Sequence, residues 1–443
     1  MNLDRWLPEL VELVEIPSVG ADPAHAADMV RAVDWLRTRL EAVGAATRVL
    51  REGRESVLLA DVPAQRFTQT APTILIYGHF DVQPPGPAEL WTSPAFAPRI
   101  RDGWLYGRGT VDDKGHLLMY LAALRSLVAA GRLGVNVRLL LDGAEESGGV
   151  LALKTLREMA DRPDGCLIFD GPMIAKGRPA FYEAARGMAF FRLHLRTGRR
   201  DLHSGQFGGA AMNAVHVLVR VLDAVLPGPD GRLPDPLRVG AVPLPRETAE
   251  RLSLLPTAAD LLGGEGAHPA DGYVAEDLYT RLWAEPSLDV NGVAAGEPLL
   301  HHMQIPCTAR ASLSIRLAPG QRLEPIAGEV CRLLRAAVPA GAELEIERVG
   351  SSPPSLLPAE GAILAAARAA FTDALGAAPL TIRAGGTLPL LSVLGELGIP
   401  TVMTGLDLPE GNIHAPDERL WLEHLPVGTA ILEDLLGGTR FTQ

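Results

Sequence analysis

Short, largely apolar runs that each close on a residue able to carry chemistry constrain this chain more than any other feature. TILIY at Thr73–Tyr77 ends in Gly78-His79, Val135–Leu141 ends in Asp142-Gly143, and CLIF at Cys166–Phe169 ends in Asp170. Runs of this kind are buried on both faces, as strands inside a parallel sheet are. Helical stretches accompany them: Met29 to Leu40 has apolar residues at helical spacing, and Leu117–Ala130 is opened by Lys114-Gly115. Strand alternating with helix predicts an α/β fold with a mostly parallel sheet covered on both faces. Ligands of such sheets gather at the carboxyl ends of the strands. His79, Glu145 with Glu146, Asp170 and the later His414 are therefore placed to converge.

The pattern changes near residue 187. Phe190–Arg196 (FFRLHLR) alternates as a half-exposed strand does, and so do Ala309–Leu317 and Ala342–Val349. Helices are expected at Ala210–Leu226 and Leu323–Ala337, with a Pro-rich stretch from Pro227 to Pro245 after the first. A one-sided sheet with two helices predicts an inserted α+β domain, ferredoxin-like, carrying a further insertion near 227–305. After a break at Ser351–Pro358, a helix at Glu360–Leu375 and an apolar strand at Ile399–Met403 return the chain to its first domain. The expected division is 1–187 with 355–443 as one domain and 188–354 as the other.

Composition excludes several classes of function. Asp+Glu 53 against Lys+Arg 41 gives a net charge of −12 without a basic stripe, which argues against nucleic acid. No run approaches the ~18 apolar residues of a membrane helix. Acids among the first twenty residues do not suit a signal peptide, so a cytoplasmic protein is expected. Cys166, Cys307 and Cys331 form no CxxC pair, which leaves His and carboxylates as candidate ligands. That set suits hydrolytic zinc, or manganese or cobalt, and five such groups suit two ions sharing a bridging carboxylate. The neighbour of a ligand, as in Glu145-Glu146, offers a general base. Each residue also has an ordinary reading. A strand-end His is often simply hydrogen-bonded, paired glutamates form solvated faces, Asp170-Gly171 is a common turn, and Gly107–Gly115 could cap a helix.

The literal motifs separate these readings. HFDVQP at 79–84, YGRGTVDDKG at 106–115, AEESGG at 144–149, DLHSGQFGG at 201–209 and NIHAPDE at 412–418 together resemble the M20 family of dinuclear zinc peptidases. The likeness is strongest to the branch with carnosine dipeptidases and cytosolic nonspecific dipeptidases, and it runs from Trp6 to Leu425. It implies a zinc-peptidase catalytic domain with a lid and dimerisation domain, and His79, Asp112, Glu146, Asp170 and His414 as ligands of two divalent ions. Asp112 would bridge the ions, Asp81 would hold the His79 imidazole in its ligating tautomer, and the Asp112–Asp113 bond would be cis. Glu145 would be the general base, and His203, from the partner subunit of a homodimer, would stabilise the oxyanion. Arg316 with Gly385, Gly386 and Thr387 would bind the substrate's carboxylate.

Two positions depart from the family pattern. Ala384 stands where the dipeptidases have a Glu, and Asp417 precedes Glu418 where they have Asn, adding a negative charge near His414. The resemblance implies a metal-dependent hydrolase of dipeptides or similar small substrates with a free carboxylate. An N-acyl-amino-acid deacylase of the same architecture is the alternative. A non-catalytic relative is disfavoured because every ligand and Glu145 are present.

Overall fold

The computed structural model describes residues 3–264, 266–297, 299 and 302–441. His301, part of the expected insertion, lies outside them. The chain divides into two compact units, one of Met1–Glu183, Leu357–Ile382 and Val393–Gln443, the other of Ala184–Leu356 and Arg383–Ser392. No described helix is long and apolar enough to cross a membrane.

In the first unit the strands Asn136–Asp142, Thr73–His79, Gly165–Phe169 and Thr401–Thr404 lie side by side and parallel. Every residue from Ile74 to His79 is buried, as expected for a strand covered on both faces. The sheet becomes antiparallel at its edges. On one side a hairpin of Ala46–Glu52 and Glu55–Val62 joins it, and on the other Ala180–Ala185 runs against Thr401–Thr404. The register pairs His79 with Asp142 and Phe169 with Thr404, so chemistry-bearing residues share one edge. Helix Lys114–Ala129 is buried almost all round and packs against His424–Leu436. That contact needs Gly428, where a Cβ would collide with Met119 Sδ. A smaller sheet of Arg99–Arg101, Trp104–Tyr106 and Arg419–Trp421 ties residues four hundred onward to the turn after Tyr106. Its hairpin turns at Asp102 (φ 49°) and Gly103 (φ 81°), the Asp-Gly pair that a tight two-residue turn favours.

The second unit holds an antiparallel sheet in the order Ser287–Ala294, Thr308–Leu317, Gly187–Arg196, Glu343–Ser352, with helices Ala214–Asp223 and Leu323–Ala336. Numbered along the chain, that order is 2-3-1-4, the ferredoxin-like arrangement. Phe191, Leu193, Leu218, Val221, Leu313 and Val330 belong to its core.

Three expectations are corrected here. Ser287–Ala294, read as part of the 227–305 insertion, is an edge strand of this sheet; a bulge at Val290/Gly292 and mostly exposed side chains remove the alternation that would reveal it. The first helix begins at Ala214 rather than Ala210. Asn213, read as a helical residue, is its N-cap and accepts N–H bonds from Val215 and His216. Residues Arg383–Ser392 group with the second unit, where Arg383 donates to the carbonyls of Val242 and Pro243.

Candidate metal centre

Strand ends and the loops that follow them assemble two His–carboxylate triads in the first unit. Donor atoms of His79, Asp112 and Asp170 lie within 4.8 Å of one another, and so do those of Asp112, Glu146 and His414. Asp112 belongs to both: its Oδ1 is 2.8 Å from His79 Nε2 and its Oδ2 is 2.9 Å from His414 Nε2. His414 Nε2 also lies 3.1 Å from Glu146 Oε1. The Asp112–Asp113 peptide is cis. His414 has φ 63°, in the left-handed region that few non-glycine residues adopt.

Surrounding groups hold these side chains. His79 Nδ1 donates to the Asp81 carbonyl at 3.0 Å, leaving Nε2 toward Asp112, while the Asp81 carboxylate is farther away at 3.5 Å. That carboxylate instead accepts the backbone N–H groups of Glu145 (3.2 Å) and Glu146 (3.1 Å). Asp81 therefore fixes both His79 and the glutamate pair. Gln83 donates to Glu146 Oε2 at 2.8 Å. Asp113 accepts from His79 N and from His116 Nδ1, whose Nε2 accepts the Leu406 N–H. Gly78 leaves room for this, since a Cβ there would stand 2.7 Å from Asp113 Oδ2.

Sequence reasoning passed over Gln83, Asp113 and His116. The DDKGH spacing, which places Asp113 and His116 three apart at a helix start, was the available signal for the last two. Asp417 Oδ1 accepts from Thr92 N and Oγ1, both at 3.0 Å.

Asp81, Asp112, Glu145, Glu146 and Asp170 crowd together, and among the described residues no Lys or Arg pairs with any of them. Burial raises the Glu145 carboxyl well above its ordinary value, and the charges of Asp170, Glu146 and Asp112 add to this against an opposing His79. Burial likewise pushes Asp170 up to about 7. Asp112 is the exception, held far below its ordinary value despite burial by the bonds from His414 and His79. So dense a buried acidic cluster calls for cations, and one His with two carboxylates per triad is a donor set that divalent metals accept. The residues fit the group.

Asp142, beside His79 in the sheet, carries a testable consequence. Burial, and then the Asp81 charge, raises its carboxyl to about 7. The folded state thus keeps a proton that the unfolded chain loses near 4, so stability declines as pH rises from about 4 to 7 and is flat above. Asp142→Asn can keep the bonds with Ala144 N and Tyr77 OH. In metal-free protein its stability relative to wild type should rise by on the order of 2–3 kcal/mol between pH 5 and pH 8. A pH-independent difference in denaturant melts would show that Asp142 is already ionised in the fold.

In the second unit, Arg316 Nη1 donates to Thr387 Oγ1 at 3.0 Å, and Thr387 Oγ1 donates to the Arg186 carbonyl at 2.6 Å. Arg186, also missed in the sequence, reaches the Gly385 carbonyl and Ser287 Oγ. Burial, then the neighbouring Arg316 charge, lowers Arg186 to about 10. No carboxylate among the described residues forms an ion pair with either guanidinium, although the Asp289 charge acts on Arg186. His203 is exposed, and its Nδ1 accepts the Gly205 N–H at the start of the turn Ser204–Phe207. In the neutral ring this bond leaves the proton on Nε2, for which no partner is found among the described residues.

The family model for peptidase family M20/M25/M40 matches residues 75–437. The chain is 30% identical over 444 residues to the cysteinylglycine-S-conjugate dipeptidase of Corynebacterium striatum, covering 97% of this chain and 95% of that one. It is 25% identical over 450 residues to the Beta-Ala-His dipeptidase of Homo sapiens, covering 95% and 87%. Among solved structures, an M20 family metallo-carboxypeptidase from Sulfolobus solfataricus shares the fold with TM-score 0.84 at 24% identity, over 100% of both chains.

Proposed function

The chain belongs to peptidase family M20/M25/M40, and from that premise we propose that it hydrolyses the amide bond of dipeptides with a free carboxylate, as a two-metal enzyme. The observation that carries this reading is the pair of His–carboxylate triads meeting on Asp112, with Glu145 beside them. His79, Asp112 and Asp170 would hold one ion and Asp112, Glu146 and His414 the other, zinc by preference, with manganese or cobalt as substitutes. When bound, such ions supply an activated water and a polarised carbonyl.

The chain's own groups perform the remaining steps. Glu145 accepts the proton of the attacking water on its carboxylate and delivers it to the leaving amine nitrogen, as a positioned general base does. His203, contributed by the second copy in a homodimer, donates its Nε2–H to the developing oxyanion. The exposed Phe207, Met212, Val219 and Met303 support an apolar dimer contact on the second unit. Arg316, steadied by Thr387 in the Gly385–Thr387 turn, takes the substrate carboxylate.

Arg316→Ala should raise KM for free dipeptides by about 10–100-fold, the worth of a charge-assisted hydrogen bond. Dipeptide amides, which lack the carboxylate, should be unaffected. An equal loss on both would place Arg316 elsewhere in the reaction.

Ala384 supports a second reading, since its methyl offers nothing to a substrate's free α-amine. Matched panels of dipeptides and N-acyl amino acids, incubated with zinc- or manganese-loaded protein and followed by mass spectrometry with a chelator control, decide between them. Chelator-sensitive cleavage of the dipeptides is expected. Cleavage confined to the acyl panel would establish the deacylase, and metal-loaded protein inert on both would overturn the enzymatic reading.

A further inference from the structure

Glu418 is fully buried, yet four donors converge on its carboxylate. Oε2 accepts from Arg108 Nη1 at 2.7 Å and Gly109 N at 2.9 Å, and Oε1 accepts from Val111 N at 3.1 Å and Asp112 N at 3.2 Å. Its own carbonyl accepts the Gly107 N–H at 2.8 Å. One residue thus gathers the N–H groups of Gly107, Gly109, Val111 and Asp112, and the turn 107–112 ends on the shared ligand. Glu418 also closes the loop 412–418 that bears His414, and the strand pairing of Arg419 with Tyr106 anchors that loop at the turn's base.

We propose that Glu418 is a positioning residue that sets the spacing of Asp112 and His414, and through it the affinity of the site for metal. The inference rests on the reading of those two residues as ligands. It follows from how few partners could do this. A carboxylate supplies two acceptor atoms, each able to take two N–H bonds, whereas a carboxamide of the same shape would turn an NH₂ against two donors. Asp at this position would fall a methylene short of the turn. Arg108 supplies the compensating charge: 1% exposed itself, it meets Glu418 end-on and donates weakly to the Pro84 carbonyl. Groups that orient a ligand without touching the metal carry much of a site's affinity.

The test is metal affinity, measured on stripped protein by competition with a chromophoric chelator, with circular dichroism to establish the fold. Wild type should bind; no binding would overturn the parent reading rather than this one. Glu418→Gln should bind about 10–100-fold more weakly, with kcat reduced and KM little changed. Leu36→Ala, a core truncation on helix Ala26–Ala42, should lower the melting temperature yet leave affinity as in wild type. If Glu418→Gln does not fold, Arg108→Gln carries the test, because it leaves Glu418 its three backbone donors and should weaken binding to a smaller extent. Wild-type affinity in the folded Glu418→Gln protein, or in Arg108→Gln where only that folds, would overturn the proposal. So would an equal fall in Leu36→Ala.

Discussion

Glu145→Gln is expected to lower kcat by about 10²–10⁴-fold, the usual worth of a positioned general base, while leaving metal content at the wild-type level. Glutamine keeps the volume and the backbone N–H bond to Asp81, so the loop that carries Glu146 should stay in place. What it loses is the ability to take a proton. Because burial and the neighbouring Asp170, Glu146 and Asp112 charges hold Glu145 above its ordinary value, ionising it costs stability in the metal-free protein. A neutral side chain removes that cost, and the melting temperature should hold or rise. Metal analysis by mass spectrometry, thermal melts and single-turnover rates check this together. Full turnover would remove Glu145 from the mechanism, and a parallel loss of metal would make it a ligand instead.

The contrast between what the sequence discloses and what it hides has a physical basis. Strands such as Thr73–His79 and Gly165–Phe169 are legible because burial on both faces forces an apolar run, and the run ends where the candidate ligands begin. Edge elements obey no such constraint. Strand Ala46–Glu52 and the bulged strand Ser287–Ala294 face solvent for much of their length, so polar residues interrupt any pattern. The candidate metal ligands and Glu145 are legible because their chemistry restricts the residue types at strand ends. Their supports are not: Glu418 meets Gly109 across 309 positions and Gln83 meets Glu146 across 63. No local periodicity encodes such contacts. Arg186 is hidden for the same reason, its partner Gly385 lying 199 positions away.

Asp112→Asn should be the most damaging single change at the centre, and its failure should differ in kind from that of Glu145→Gln. The Asp112 carboxylate faces His79 with one oxygen and His414 with the other, so both triads depend on it. An asparagine keeps one acceptor and turns an NH₂ toward the other triad, so metal stoichiometry should fall below that of wild type. Forfeiting several kcal/mol of metal-supplied stabilisation lowers kcat by at least about 10³-fold. The metal-free protein adds an independent check. Asp112 is held below its ordinary pKa by His414 and His79, so its charge stabilises the fold above about pH 4 and that contribution fades as pH falls further. Asp112→Asn should therefore melt below wild type at neutral pH, with the gap closing in acid. Asp142→Asn must behave in the opposite sense, gaining on wild type as pH rises, because burial raises the one carboxyl while two imidazoles depress the other. Should the two variants shift together with pH, the charge distribution described for the centre would be wrong, whatever their activities.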